Sequence, residues 1–248
     1  MIEFDHVSFA YEPDTPVLRE LSFRIAPGES VGLIGANGAG KSTILKLMLG
    51  LLPCLEGEIR VDGLPVNKQN LTQIRRALGF VLQDSDSQMF MPTVFEDMMF
   101  APRNYGLSKE EAETRVDAVL AELGLEALKH RYNHKISGGE KRMAAIATIL
   151  AMEPKAIIMD EPSIALDPVN RRTVIRTVNA LRMTKLLASH DLDMILDTCD
   201  RVLLLSGGRL AADGPAEEIL RDQALLEANR MELPFCLAGY HPRGQAKA

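Results

Sequence analysis

The residues Gly35-Ala36-Asn37-Gly38-Ala39-Gly40-Lys41-Ser42-Thr43 constrain this chain more than any other stretch. They follow a short apolar run over 30–34 and lead into apolar residues on a helical period over 44–52, stopped by Pro53. Strand, glycine-rich turn and helix form the context in which this pattern wraps a polyphosphate. The glycines permit positive φ and close backbone approach, so that N–H groups can surround phosphate oxygens. The helix beginning near Lys41 adds its N-terminal amides and partial positive charge. Lys41 brings a point charge to the β- and γ-phosphates, and Ser42 a hydroxyl to Mg²⁺.

The rest of the chain supplies a setting for this loop. Ile2, Phe4, Val7 and Phe9 lie in a strand-like run, and Leu21, Phe23 and Ile25 alternate before the turn at Pro27-Gly28. Further strands are expected at 58–61, 79–82, 156–159, 185–188 and 202–205, with Gly207-Gly208 closing a hairpin to 209–212. Between Asp84 and Pro154 the texture is mostly helical. There Ser108 and Glu111 form a capping box, and Val116, Val119, Leu120 and Leu123 make a stripe ending at Gly124. Strand–helix alternation at both ends around a helical middle predicts an α/β core carrying a helical subdomain. The stretch 233–248 loses periodicity and reads as a loosely packed tail.

With 46% hydrophobic residues among 248, there is ample material for a core, which excludes a disordered or disulfide-stapled chain. A net charge of −6 gives no reason to expect nucleic-acid binding or general attraction to an anionic membrane. The scattered Cys54, Cys199 and Cys236 read as buried thiols of a reducing compartment. The first residues lack the regions of a signal peptide, and no apolar run approaches the roughly 20 residues that span a bilayer. The expectation is a soluble cytoplasmic chain that serves a membrane only through a partner.

A second motif completes the phosphate loop. Ala156-Ile157-Ile158-Met159-Asp160-Glu161 is an apolar strand delivering carboxylates at its C-terminal end, where ligands sit in open α/β sheets. Asp160 is placed to hold Mg²⁺ through water, and Glu161 to polarise an attacking water. Ile136-Ser137-Gly138-Gly139-Glu140 repeats the same physics, with glycines and a helix N-terminus facing an anion.

With that segment the chain resembles the ATP-binding-cassette ATPases over nearly its whole length. The resemblance implies a P-loop NTPase fold with an antiparallel β subdomain and an inserted helical subdomain. The ATPase domain would cover 1–232, with a RecA-like core at 1–83 and 156–232, helices at 84–155 and a tail at 233–248. It implies that Ser137, Gly138, Gly139 and Glu140 cap the γ-phosphate of ATP on an opposite subunit, although Ile136 and Glu140 replace the commoner Leu and Gln. Tyr11 matches the aromatic stacked on adenine, and Gln83 the Mg²⁺ sensor linked to the helical insertion. Ala165-Leu166-Asp167 matches the loop crossing the dimer interface, and His190 the histidine at the γ-phosphate. The catalytic set implied is Glu161, His190 and Gln83, and the Mg²⁺ set Ser42, Gln83 and Asp160.

His130 and His134 share a helical metal spacing, but no third ligand is near and no site is assigned. Met89, Met91, Met98 and Met99 read either as core or as an adaptable docking surface. The segment from Gln83 to Pro102 is similar to that of energy-coupling-factor importers, with Ser85 and Ala101 replacing the usual proline and glycine. The stretches 184–193 and 199–202, and Glu140, look most like the cobalt and nickel importers. The implied function is ATP hydrolysis by a homodimer that energises import of cobalt or nickel ions. Its partners would be a transmembrane coupling subunit and a substrate-capturing membrane subunit, at the cytoplasmic face of the cell membrane. The alternatives are a vitamin importer, with a second, non-identical ATPase, and a non-transport cassette protein. In the coupling picture, some of Met89, Phe90, Phe95, Met98 and Met99 form a groove for the membrane partner.

Overall fold

Period-two alternation at the N-terminus builds an antiparallel sheet. In the computed structural model, which describes residues 1–239, β1 (Ile2–Ala10) pairs with β2 (Pro16–Ile25). Next come β3 (Ser30–Ile34), α1 (Lys41–Met48), β4 (Glu56–Val61) and β5 (Leu64–Pro65), and β4 and β5 complete that sheet in the order β2-β1-β4-β5. The chain continues through α2 (Leu71–Ala77), β6 (Leu78–Val81), α3 (Ser85–Gln88), α4 (Val94–Asn104), α5 (Lys109–Leu123) and α6 (Gly138–Leu150). It then returns to alternation with β7 (Ala156–Asp160), α7 (Pro168–Ala180), β8 (Thr184–Ala188), α8 (Leu192–Thr198), β9 (Arg201–Ser206) and β10 (Arg209–Pro215). Two short helices follow, α9 (Ala216–Arg221) and α10 (Gln223–Ala228).

The second sheet has the order β10-β9-β3-β8-β7-β6, and all its pairs but β9–β10 are parallel. Its central strands are buried on both faces, which is why they read as continuous apolar runs. On β7 the alternation still decides the partner. Ala156 and Ile158 join the cluster of α1 and the first sheet, while Ile157 and Met159 join that of α4, α5, α6 and α7.

Because five strands run parallel, the chain leaves β3, β6, β7 and β8 on one edge of the sheet. Those exits carry the glycine loop, Gln83, Asp160-Glu161 and His190. Between β6 and β7 the described elements are helical, and their cluster of Met98, Val116, Leu120 and Ala144 is continuous with Val81 and Ile157 of the sheet.

Two expectations need correction. The first helix ends at Met48, not Leu52, because Gly50 at φ +61° makes a Schellman turn: Leu51 N–H donates to Lys46 O at 2.8 Å, and Gly50 N–H to Leu47 O at 3.0 Å. Of the three thiols only Cys199 is buried, in apolar surroundings that push its pKa up to about 11. Cys54 is half-buried before β4, and Cys236 is exposed. Of the expected tail, Leu233 packs against the core, while Phe235, Cys236, Ala238 and Gly239 are exposed. The backbone N–H groups of Phe235 and Cys236 donate to the Asp193 carboxylate at 3.0 and 2.8 Å. The remainder of the expected tail, 240–248, lies outside the described residues.

Candidate active site

At the exit of β3 the backbone takes positive φ at Gly35, Gly38 and Gly40. A Cβ at Gly35 would collide with the carbonyl of Leu205, so close approach as well as φ requires glycine there. Gly40 is the N-cap of α1; no side chain caps that end and no acid sits in its first turn. Its amides are therefore free to meet an anion. The Lys41 ammonium, buried under the loop, donates to Gly35 O at 2.7 Å. Burial lowers its pKa, against the pull of Glu161 and Asp160.

Asp160 Oδ2 accepts from the Ser42 hydroxyl at 3.2 Å. Burial pushes the Asp160 carboxyl up, against the Ser42 hydrogen bond, and the neighbouring Glu161 charge pushes the same way. A hydroxyl, a half-buried carboxylate and the amide of Gln83 in the same cleft form an all-oxygen donor set. That set fits a hard divalent cation such as Mg²⁺.

Glu161 is a non-glycine residue at φ +48°, a strained conformation held by its own N–H donating to Ala188 O at 2.8 Å. Its carboxylate is buried, and Oε2 accepts from the Ser189 hydroxyl at 3.0 Å and from the His190 N–H at 3.2 Å. The same oxygen lies 2.7 Å from His190 Nδ1. His190 thus grips the carboxylate, leaving the other ring nitrogen for a ligand. Asp191 anchors the pair: Arg171 donates to both of its oxygens at 2.6 and 2.7 Å, and Ser163 to one at 2.8 Å. Serial order does not reveal Asp191, Arg171 or Ser163 as supports.

Lys41, Ser42, Gln83, Asp160, Glu161 and His190 line one cleft of about 590 Å³, together with Tyr11, Asn37, Ala39 and Thr43. Tyr11 is exposed at the end of β1, its hydroxyl 3.2 Å from Thr43 Oγ1, and its ring meets Phe9 edge-on. Ala36 lines the adjoining cleft with Ala165.

Ser137–Glu140 and Asp167 are absent from the lining of both clefts. Ser137 caps α6 in a capping box, and the Glu140 carboxylate turns back onto the Ser137 N–H at 2.7 Å, which lowers its pKa. Gly138 faces open space. A Cβ on Gly139 would strike the side chain of Asn170, whose amide bonds the N-cap residue Asp167 of α7. The structure therefore brings the Ser137–Gly139 turn and Asp167 together, through a residue that the motif reading did not single out. Gly139→Ala is expected to displace Asn170 and reduce ATPase turnover at least about tenfold. Nucleotide binding to the isolated chain, measured by calorimetry, should stay within about twofold.

Exposed aromatics mark the other end of the helical segment. Phe90 is 62% exposed and meets Phe100 edge-to-face at 4.9 Å. Met98, in contrast, is 0% exposed, and Met89 is buried as well, which corrects their reading as groove residues. Val94, Met98 and Pro102 recur every fourth residue on the inner face of α4, so helical period places Met98 in the core.

A glycine loop over a buried lysine, a carboxylate fit for a hard cation and a gripped glutamate on one sheet edge make the arrangement of a P-loop nucleotide hydrolase. The chain belongs to the ABC transporter family, as an ATP-binding subunit: that family's model matches residues 18–164. A putative ABC transporter ATP-binding protein of Geobacter sulfurreducens is 43% identical, over 96% of each chain. The energy-coupling factor transporter ATP-binding protein EcfA of Methanothermobacter thermautotrophicus is 41% identical, over 94% of this chain and 77% of that one. Among solved structures, CbiO1 of Clostridium perfringens, part of the ABC transporter complex CbiONQ, is similar with a TM-score of 0.83 and 31% identity. That match covers 92% of this chain and 93% of CbiO1. A dimeric cassette, MJ0796, in a post-hydrolysis state bound to ADP and Pi, matches with a TM-score of 0.75 at 26% identity, over 87% of this chain and 99% of that one. Among the described residues no helix is long and apolar enough to cross a membrane.

Proposed function

We propose that this chain is the ATPase of an energy-coupling-factor importer of cobalt or nickel ions, working as a homodimer with two ATP molecules at its interface. The observation that carries the hydrolytic part is the Glu161–His190 pair beside Lys41 and the Ser42–Asp160 pair in one cleft. The kind of importer is supported by the likeness to EcfA and to CbiO1.

The proposed mechanism follows from charge and reach. Backbone amides of 35–43 and the Lys41 ammonium hold the β- and γ-phosphates, and Tyr11 stacks on the base. Ser42 and Asp160, with Gln83, hold Mg²⁺; when bound there, Mg²⁺ neutralises charge on the phosphate oxygens. Glu161 orients the attacking water and accepts its proton. His190 fixes the Glu161 carboxylate and turns its free nitrogen to the γ-phosphate. Ser137–Gly139 of the second copy cap that phosphate, with Asp167 at the seam between copies. The helices over 84–155 carry the motion of closure and reopening to the membrane partners.

Phe90 and Phe100 are the proposed contact with those partners. Phe90→Asp is expected to leave hydrolysis by the isolated chain within about twofold while uptake in cells falls at least about tenfold, because only an exposed contact is lost. Met98→Asp buries an unpaired charge and should instead abolish soluble expression. The function itself is tested by purifying the chain from its own membranes and measuring ATP-dependent uptake of radiolabelled cobalt and nickel. Co-purifying membrane subunits with uptake of either ion support the reading. Uptake of a vitamin alone, or no membrane partner, contradicts it.

A further inference from the structure

Resting on the dimer reading above, we infer that Arg142 is a positioning residue that locks the Gln83 loop to the signature helix and so couples the two ATP sites. Arg142 sits on α6, five residues after Ser137, about 7.5 Å along the axis. Its side chain is 3% exposed, and although the Asp84 charge acts on it, no carboxylate bonds it among the described residues. Instead its guanidinium donates to two consecutive carbonyls, Leu82 O at 2.7 Å and Gln83 O, while its Nε has no partner. A buried cation spent on carbonyls is costly, and an apolar side chain of the same size would avoid that cost. What the guanidinium adds is geometry, since its rigid fork fixes the peptide of Gln83 against the helix.

Two further ties act on the same loop. Gln88 accepts from Leu82 N–H at 2.9 Å and donates to Ala145 O of α6 at 2.8 Å. Lys141 pairs with Asp86. With residues 82–88 stapled to α6 at three points, Gln83 cannot shift without moving Ser137–Gly139. Gln83 lines the nucleotide cleft of its own copy, whereas the turn at Ser137 serves the other copy's nucleotide. A nucleotide felt at Gln83 therefore sets the cap of the opposite site, which is a coupling free energy carried by one rigid element.

The test is ATPase rate against ATP concentration for the full chain and for Arg142→Lys, Arg142→Gln and Gln88→Glu. Gln88→Glu keeps an acceptor for Leu82 N–H and removes the donor to Ala145 O, so it keeps the test alive should the Arg142 variants misfold. The wild type is expected to show a Hill coefficient above 1, with 2 as the ceiling for two sites. Each folded variant should fall to about 1 and lose kcat, while ATP binding to the monomer, read by calorimetry, stays unchanged. Lysine should fail to rescue, because a point charge cannot bridge two carbonyls in fixed geometry. Folded variants of a dimerising wild type that keep its Hill coefficient overturn the role of Arg142. A wild type that never dimerises with Mg-ATP contradicts the dimer reading, and this coupling with it.

Discussion

Lys41→Ala is expected to reduce ATP hydrolysis by at least about 10² to 10³, equivalent to about 2.7–4 kcal/mol of barrier, as for loss of one preorganised donor at developing charge. Among the described residues, this side chain is the cation whose ammonium bonds the loop's own carbonyls, at Gly35 O. Alanine removes both the charge that meets the phosphates and the bond that shapes the loop around them. Lys41→Arg tests shape separately, because a planar fork does not fit where a compact ammonium is buried under the loop. Both variants should lose nucleotide binding in calorimetry. Near-normal turnover by purified, folded Lys41→Ala would contradict the assignment of the phosphate site.

Glu161→Gln should slow hydrolysis by about 10² to 10⁴, the usual contribution of a positioned general base. Glutamine keeps the size and can still accept from Ser189 and from the His190 backbone, but it cannot take a proton from water. Binding should survive, since the glutamate touches the loop's ligand only through the reaction. The result expected is a chain that holds ATP and turns it over very slowly. A variant hydrolysing within a few-fold of wild type would show that another group accepts the proton.

The phosphate loop and the carboxylate pair were legible because their chemistry is local: a few contiguous residues state the backbone conformation and the charge. Strand–helix alternation pointed to the α/β core that carries them, whereas the parallel pairing of its strands is seen only in the fold. Met98 was open in sequence between core and surface, although the spacing of Val94, Met98 and Pro102 carried the answer. The capping box of Thr93 and Glu96 on α4 was equally readable from four residues, as was that of Ser137 and Glu140. Arg142 and Asp191 are different in kind. Each acts through partners remote in the chain, Arg142 reaching back 60 residues to Leu82. No period or short motif encodes such a bond; only the packing of α6 and α7 against the sheet edge makes it.

The central claim is that two copies of this chain close on ATP, and the molar mass of Glu161→Gln in solution tests it directly. Light scattering on a sizing column, with and without Mg-ATP, should show the 27.3 kDa chain without nucleotide and twice that mass with it. Adding Gly139→Ala to the same variant should return the mass to that of a single chain. A Glu161→Gln chain that binds ATP in calorimetry yet stays at single-chain mass would contradict the account.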